Sequence, residues 1–231
     1  MTNISAKEIK NLVKENLDFA KKIKNYLHEN PELSSKEFET RKFLINECKK
    51  LGLEVEEVEN STGFVAILDT KRNGKILGIR TDIDALPIIE NENNLKTKKE
   101  VVSKNIGVMH ACGHDFHMAL ALTSAKILSE IRNNLNGKIY FIFEEGEETG
   151  AGIYPMVKHL KNIKFDAIYG NHIDTEIPTG KFAISKRKVY AGCAGVDFDV
   201  IGKGGHGSRP DLLISPINAL VAIINNLNQT W

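Results

Sequence analysis

The sequence has few cysteines and almost no net charge, and each shortage excludes a class of protein. Three cysteines are present among 231 residues, and they lie far apart, at Cys48, Cys112 and Cys193. This excludes the disulfide framework of small secreted domains, and we expect a reducing, cytoplasmic location. The formal net charge is +1. Without a broad basic field, neither nucleic acid nor an anionic membrane is an expected partner.

Long apolar runs are also missing. The amino-terminal segment is polar and rich in lysine, unlike a secretory signal, and no later run approaches the ~20 apolar residues of a membrane span. Hydrophobic residues make up 42% of the chain, which is enough to build a real core. We therefore expect a globular protein that forms either one large domain or one domain and part of another.

Hydrophobic periodicity predicts alternating helices and strands. Helical spacing covers residues 5–29 as one helix, and a second helix begins at a capping box of Ser34 and Glu37 and ends at Gly52, with Cys48 on its apolar side. Further strands are predicted at 64–68, 76–79, 139–143 and 167–169, and further helices near 116–131 and 153–160. This order predicts an α/β fold, a layered domain with a mixed central sheet and flanking helices.

A change of pattern predicts the start of a smaller α+β domain. Apolar and acidic residues alternate over 196–200 as in a half-exposed strand, followed by a glycine-rich turn at 202–207 and an amphipathic helix at 214–227. We place the domain boundary between residues 188 and 189.

Acidic and imidazole side chains follow three of the predicted strands. In open α/β sheets, ligands bind outside the carboxyl ends of the strands. Asp82 and Asp84 follow the second of these strands, His172 follows the last, and the third is followed by Glu144, Glu145, Glu147 and Glu148. We expect these groups to meet at one rim of the sheet.

The densest cluster packs three histidines, a cysteine and an aspartate into eight residues. In a turning or extended backbone, His110, Cys112 and His114 face one side. A thiolate beside an imidazole suits a borderline-soft divalent cation, and Glu148 and His172 can complete its coordination shell. Zinc, manganese and cobalt all fit this donor set.

Glu147 and Glu148 suit the two tasks of metal-assisted hydrolysis. A cation polarises a carbonyl and lowers the pKa of a water to about 7, while a carboxylate moves the proton to the leaving amine. Neighbouring residues in an extended segment point to opposite sides, so one glutamate can bind metal while the other reaches the water. We expect Asp82 to hold a metal-bound imidazole from behind. His206, followed by Arg209, is expected to donate to a substrate carbonyl or carboxylate.

Some of these residues also have other interpretations. A Cys112 nucleophile activated by His110 would make a cysteine hydrolase, but the glutamate pair would then have no task. We interpret His28 and His159 as satisfied polar groups, and Cys48 as a small apolar residue.

With these motifs, the sequence resembles the metal-dependent amidohydrolase and peptidase family of aminoacylases, hippurate hydrolases and indole-acetyl-amino-acid hydrolases. The segments that carry the resemblance are 28–33 (HENPEL), 62–63 (TG), 80–87 (RTDIDALP), 109–115 (MHACGHD), 147–148 (EE) and 204–210 (GGHGSRP). They span nearly the whole chain, and the histidine-cysteine segment is highly specific.

The resemblance implies a site for two divalent ions. Cys112 would bridge them, His114, Glu148 and His172 would ligate them, and Glu147 would be the general base. Asp82 would support the site from behind. The implied reaction is hydrolysis of the amide bond in N-acyl amino acids or small peptides with a free carboxylate.

The resemblance also implies roles for the two domains. Residues 1–188 would be the catalytic domain and 189–231 the beginning of a lid and dimerisation domain. In similar enzymes, a histidine at the position of His206 reaches the partner subunit's site and stabilises the tetrahedral intermediate. We therefore expect a homodimer formed through the lid.

Three features depart from the family pattern. Residues 144–146 read Glu-Glu-Gly where these hydrolases usually have Gln-Pro-Ala, and residues 173–176 are unusually acidic. No histidine follows His206, although family members supply a further metal ligand from beyond that point. The expectation is a truncated chain, and the alternative to an active enzyme is an inactive fragment that binds metal only in part.

Overall fold

The computed structural model describes residues 4–94, 97–184 and 197–229. Contacts within the chain divide it into two compact units, Met1–Glu176 and Ile177–Trp231. The boundary predicted at 188 and 189 lies outside the described residues and stays a prediction, and Cys193 lies there too. Within the ranges described, no helix has both the length and the apolar character needed to cross a membrane.

A five-stranded mixed sheet forms the centre of the first unit. Its strands are β1 (Glu54–Glu57), β2 (Phe64–Asp69), β3 (Ile76–Asp82), β4 (Lys138–Glu144) and β5 (Ala167–Gly170). They lie in the order β1-β2-β4-β3-β5. β2 is antiparallel to both of its neighbours, whereas β3 is parallel to β4 and β5. Four of these strands were predicted, but β1 is too short and acidic to give an apolar run.

Helices cover both faces of this sheet. The first unit contains α1 (Ala6–Glu15), α2 (Leu17–Glu29), α3 (Phe38–Lys50), α4 (His114–Glu130) and α5 (Ile153–Leu160). The larger core packs α2, α3 and α4 against alternate residues of β2 and β4, and Cys48 is fully buried in it, as predicted. The smaller core packs α5 against the other face. The predicted layered α/β fold is confirmed.

The single helix predicted over residues 5–29 is wrong, because α1 ends and α2 begins around Asn16. This residue is buried, with φ −100° and ψ 5°. Its side-chain amide donates to the carbonyl oxygen of Leu12 at 2.9 Å. A side chain that bonds the preceding turn competes with continuation of the helix.

The capping box predicted for α3 is also absent. The hydroxyl of Ser34 donates to Oδ2 of Asp84 at 2.6 Å instead. Glu37 precedes the helix, but its side chain makes no capping hydrogen bond and is fully buried. Both side chains serve buried polar partners, which would be costly to leave unsatisfied.

In the second unit, α6 (Pro216–Asn228) starts at a serine cap. Oγ of Ser215 accepts from the backbone N–H of Asn218, and proline at the first helical position is preorganised for a helix. A bridge joins Lys203 to Ile214. The strand predicted at 196–200 is wrong for residues 197–200, since a strand needs a hydrogen-bonded neighbour and no described segment pairs with them.

Candidate metal centre

Parallel pairing of β3 with β4 and β5 brings three strand ends to one edge of the sheet. Asp82 is directly opposite Glu144 in the register of β3 and β4. Glu147 and Glu148 follow β4, and His172 lies two residues after β5. The first turn of α4 begins at the same edge with His114, after Gly113 in a left-handed conformation (φ 88°).

Three groups of described side chains could hold a cation, and all of them share His114; one is the fully buried set of Asp82, His114 and His117, and the other two reach the edge of the sheet. Ligand atoms of Cys112, His114 and His172 lie within 4.8 Å of one another, and so do those of His114, Glu147 and Glu148. The Sγ atom of Cys112 lies 3.2 Å from Nε2 of His172. Nε2 of His114 lies 3.7 Å from Oε2 of Glu147 and 3.8 Å from Oε1 of Glu148. The two groups therefore meet at one imidazole.

His114 is held so that its Nε2 faces this group of donors. Its Nδ1 donates to the backbone carbonyl oxygen of Asp84 at 2.9 Å and lies 3.2 Å from Oδ1 of the same residue. Burial lowers the pKa of His114, but the Asp84 hydrogen bond and the charge of Asp82 outweigh it and raise the pKa overall. An imidazole anchored through Nδ1–H has its Nε2 lone pair available to a cation.

Unsatisfied atoms in this cluster test whether a cation fits. Nε2 of His114 and Oε1 of Glu148 are both buried, and neither has a hydrogen-bond partner. Two buried acceptors 3.8 Å apart are costly unless a positive group lies near both. Asp82, Asp84 and Glu147 add further negative charge around them. The residues present fit a divalent cation.

Glu147 and Glu148 differ in their surroundings, although they are adjacent. Gly146 turns the chain out of β4 with a positive φ of 53°, and a short 3-10 helix, Glu147–Thr149, follows. Glu148 is anchored by its backbone N–H, which donates to Oδ2 of Asp84 at 3.0 Å. The Glu147 side chain is 41% exposed. Burial and the neighbouring Asp82 raise the pKa of Glu147.

The sequence predicts that Asp82 alone orients a metal-binding imidazole, but in the structure both Asp82 and Asp84 hold histidines of the site. Oδ1 of Asp82 accepts from Nδ1 of His117 at 2.8 Å, and Oδ2 accepts from Arg80 at 2.8 Å. Burial raises the pKa of Asp82, but the His117 hydrogen bond and the charge of His114 lower it to about 2. Asp84 makes the hydrogen bond to His114. The two-residue spacing of Asp82 and Asp84 was the sequence signal for a shared role, since alternate residues of an extended strand face one side.

His110 and Cys112 do not form a nucleophile and base pair. Both ring nitrogens of His110 are buried without a hydrogen-bond partner, and burial lowers its pKa to about 4. The Sγ atom of Cys112 lies next to His172 instead. Burial, followed by the charge of Glu148, raises the pKa of Cys112 to about 12. A nucleophilic cysteine needs a thiolate and a neighbouring base, so the geometry does not favour that alternative.

His28 is a satisfied buried group that also holds the start of α4. Nδ1 lies 2.8 Å from Oδ2 of Asp115 and Nε2 lies 3.0 Å from Oε1 of Glu90. Both nitrogens face carboxylates, so both donate and the ring is an imidazolium. The Asp115 hydrogen bond is the main cause that raises the pKa of His28. His159 contacts Glu56 at 3.0 Å.

The remaining predicted residues make local contacts. In the second unit, Nδ1 of His206 lies 2.8 Å from the hydroxyl of Ser208. Arg209 pairs with Asp211 at 2.7 Å. Asp174, in the acidic segment, accepts from a backbone N–H two residues on, which is typical of a loop aspartate.

Comparison with known proteins decides the family. The profile of peptidase family M20/M25/M40 matches residues 78–222. That range contains every residue of the metal-binding groups described above. The chain belongs to this family.

Relatives with assigned names agree with this membership. The chain is 40% identical over 221 residues to thermostable carboxypeptidase 2 of Saccharolobus solfataricus, covering 94% of the chain and 55% of the relative. It is 38% identical to hippurate hydrolase of Campylobacter jejuni, with coverages of 93% and 55%. It is 36% identical to N-acyl-L-amino acid amidohydrolase of Geobacillus stearothermophilus, with coverages of 98% and 60%. The chain thus spans little more than half the length of these relatives.

A solved structure has the same fold. It is a Bacillus subtilis protein described as a dinuclear metal-binding peptidase of family M20. The TM-score is 0.65 and the sequence identity 35%, over 71% of this chain and 45% of the other.

Proposed function

We propose that this chain supplies the metal-binding and catalytic groups of an amidohydrolase that cleaves N-acyl amino acids or small peptides with a free carboxylate. The observation that carries the proposal is the pair of unsatisfied buried acceptors, Nε2 of His114 and Oε1 of Glu148, 3.8 Å apart. A cation is the ligand that satisfies both. Relatives named as an amidohydrolase, a hippurate hydrolase and a carboxypeptidase support the reaction and the substrate class.

Two divalent ions fit the donor set best. His172 would serve one ion, Glu148 would serve the other, and Cys112 would bridge them, with His114 lying where the two groups of donors overlap. Thiolate, imidazole and carboxylate together suit zinc, manganese or cobalt. When bound, such ions polarise a substrate carbonyl and lower the pKa of a water to about 7. The dinuclear description of the Bacillus subtilis family member supports two ions.

Glu147 is the general base of this proposal. Its carboxylate takes a proton from the attacking water and delivers it to the amide nitrogen as the carbon–nitrogen bond breaks. Partial exposure leaves the side chain accessible to substrate, and its raised pKa brings it closer to neutrality, where proton transfer in both directions is favourable.

Asp82 and Asp84 position the groups that bind metal. Asp84 fixes the tautomer of His114 and anchors the backbone of Glu148, so it controls two donors at once. Asp82 is fixed by Arg80 and His117, and its Oδ2 lies 3.7 Å from Nε2 of His114. Both carboxylates act through their neighbours.

The second unit enters the proposal through His206. We propose that 189–231 begins a lid through which two chains dimerise, and that His206 donates to the tetrahedral intermediate in the partner subunit's site. The cytoplasmic location inferred from the three scattered cysteines belongs to the same proposal.

The test is hydrolysis of a panel of N-acetyl and N-benzoyl amino acids, measured as release of the free amino acid. Chelation should abolish turnover, and zinc, manganese or cobalt should restore it. The matching amino acid amides, which lack the free carboxylate, should be poor substrates. Tight metal binding without any turnover would favour the inactive alternative. Turnover that survives chelation but not thiol alkylation would favour a cysteine hydrolase.

A further inference from the structure

Two buried carboxyl groups meet at one hydroxyl next to the loop of residues 145–149, called here the catalytic loop because it carries Glu147 and Glu148. Oε2 of Glu37 lies 2.5 Å from Oγ1 of Thr62, and Oε2 of Glu145 lies 2.6 Å from the same oxygen. Thr62 also donates its backbone N–H to Oε2 of Glu145 at 2.5 Å. All three residues are at least 95% buried. Glu145 is one of the residues that depart from the family's Gln-Pro-Ala.

The hydroxyl of Thr62 cannot donate to both carboxyl groups, so they cannot both be ionised. A hydroxyl has one proton and can donate to only one of the two carboxyl oxygens. The other oxygen, at hydrogen-bond distance with no proton between, would be repelled unless its own carboxyl were protonated. Oε2 of Glu145 already accepts the Thr62 N–H, so it is the acceptor of the hydroxyl as well. The remaining proton then lies on Glu37.

The other oxygen of Glu37 connects the cluster to the catalytic loop. Oε1 accepts the backbone N–H of Gly146 at 2.8 Å. Gly146 is the left-handed residue that turns the chain from β4 into the segment carrying Glu147 and Glu148. Burial raises the pKa of Glu37, which agrees with a carboxyl that stays protonated.

We propose that Glu37 is a neutral carboxylic acid that donates to Thr62, which donates to Glu145, and that this hydrogen-bond chain positions the Gly146 turn beneath the general base. The catalytic part of this inference rests on the proposed function; the proton assignment does not. Glu37, Thr62 and Glu145 are positioning residues, because they act on Glu147 and Glu148 through the backbone of Gly146.

The same arrangement explains where the extra acids of this chain go. Glu144 pairs with Arg80 at 3.0 Å, and Glu145 is held by Thr62. A side chain at Gly152 would meet the backbone oxygen of Glu145 at 1.7 Å, so the loop packs closely over it. The carboxylates of Glu144 and Glu145 are therefore bound by Arg80 and Thr62, and they add no further ligand to the candidate metal site.

The proton assignment is tested by infrared spectroscopy and amide hydrogen exchange. The wild-type chain should show the carbonyl band of a buried protonated carboxyl, and Glu37→Gln should remove it. Glutamine can still donate to Thr62 and accept from Gly146, so the Gly146 amide should stay protected in Glu37→Gln. In Glu37→Ala its exchange should accelerate by about tenfold or more. A band that persists in Glu37→Gln, or equal acceleration in both variants, would overturn the assignment.

The positioning role is tested at the hydroxyl. Thr62→Val keeps the shape of the side chain without its hydroxyl, and kcat should fall by about 10- to 100-fold with little change in KM, because the loop is displaced. Thr62→Ser restores the hydroxyl and should recover most of the rate, which separates positioning from misfolding. An unchanged kcat in Thr62→Val would overturn the role. If the wild-type chain hydrolyses no amide, the proposed function fails, while the infrared and exchange results still judge the proton assignment.

Discussion

Nε2 of His114 and Oε1 of Glu148 lie 3.8 Å apart in a buried site, and neither atom has a hydrogen-bond partner. Both are acceptors when the histidine is neutral, and the surrounding carboxylates raise the pKa of His114, so in the metal-free protein only a proton on the ring can compensate this pair. A divalent cation converts this cost into binding free energy. Stability with and without metal therefore reports directly on this pair.

The first prediction is that Glu148→Gln has opposite effects on the two forms. In chelator, the variant should be more stable than wild type by ~1 kcal/mol, because it removes one negative charge from a crowded site. With metal, it should lose most of the stabilisation that a bound ion gives, which is about 2.7 kcal/mol at a hundredfold excess over Kd. Thermal unfolding with and without zinc or manganese measures both effects. Greater stability of wild type in chelator would contradict the account.

The second prediction concerns the neighbouring glutamate. Glu147→Gln should retain bound metal but lower kcat by about 10²- to 10⁴-fold, since it removes a general base that ligates no ion in this proposal. Metal content and turnover are measured on the same preparation. Loss of metal in place of turnover would show that the roles of Glu147 and Glu148 are reversed.

The third prediction separates Asp84 from its surroundings. Asp84→Asn can keep an oxygen for Ser34 and the N–H of Glu148 only by placing its NH2 group in place of Oδ1, against the Nδ1–H of His114. Metal affinity should fall by about 10- to 100-fold, the usual cost of losing a partner that orients ligands. Ser34→Ala is the matched control, because it removes only one donor and should change affinity little. Calorimetric titration of the metal-free chain measures both variants, and equal losses in both would count against Asp84.

The fourth prediction is a pH dependence of stability. The folded-state pKa of His28 is raised, chiefly by Asp115. A raised pKa means that the folded state holds the proton more tightly, so the stabilisation is complete below the ordinary histidine pKa of about 6.5 and is lost as pH rises through the folded value. The difference in unfolding free energy between wild type and His28→Gln should therefore shrink with rising pH. Urea unfolding over about pH 5 to 9 measures it. A difference that grows with pH would refute the imidazolium.

Sequence patterns predicted those parts of the fold that depend on a short segment alone. The strand at Phe64–Asp69 is a continuous apolar run whose alternate residues fill the two cores, and such a run is visible in the sequence alone. The histidine-cysteine segment was equally clear, because so many ligand types in eight residues have few other uses. The break at Asn16 was missed because a polar residue on a helix looks like any solvated position until its burial is known.

The supporting groups of the site could not be predicted, because they depend on contacts between distant segments. Glu37 has the sequence signature of a capping residue, yet its partners are Thr62 and Gly146, the latter 109 residues away. Asp82 and Asp84 are equivalent by pattern, and only the position of α4 decides which of them bonds His114. Ligand types can be inferred from sequence, whereas their orienting partners need three-dimensional geometry.

The register of β3 on β4 determines where the candidate metal site lies. Asp82 lies opposite Glu144 in a register that also places Ile79 opposite Phe141, and both of these apolar residues belong to the larger core. A slip of one residue would turn Asp82 and Asp84 to the other face and bring Ile83 to the rim in their place. Residues of the sheet core thus specify where the candidate metal ligands meet, and a core substitution that loosens this pairing would separate them although every ligand is still present.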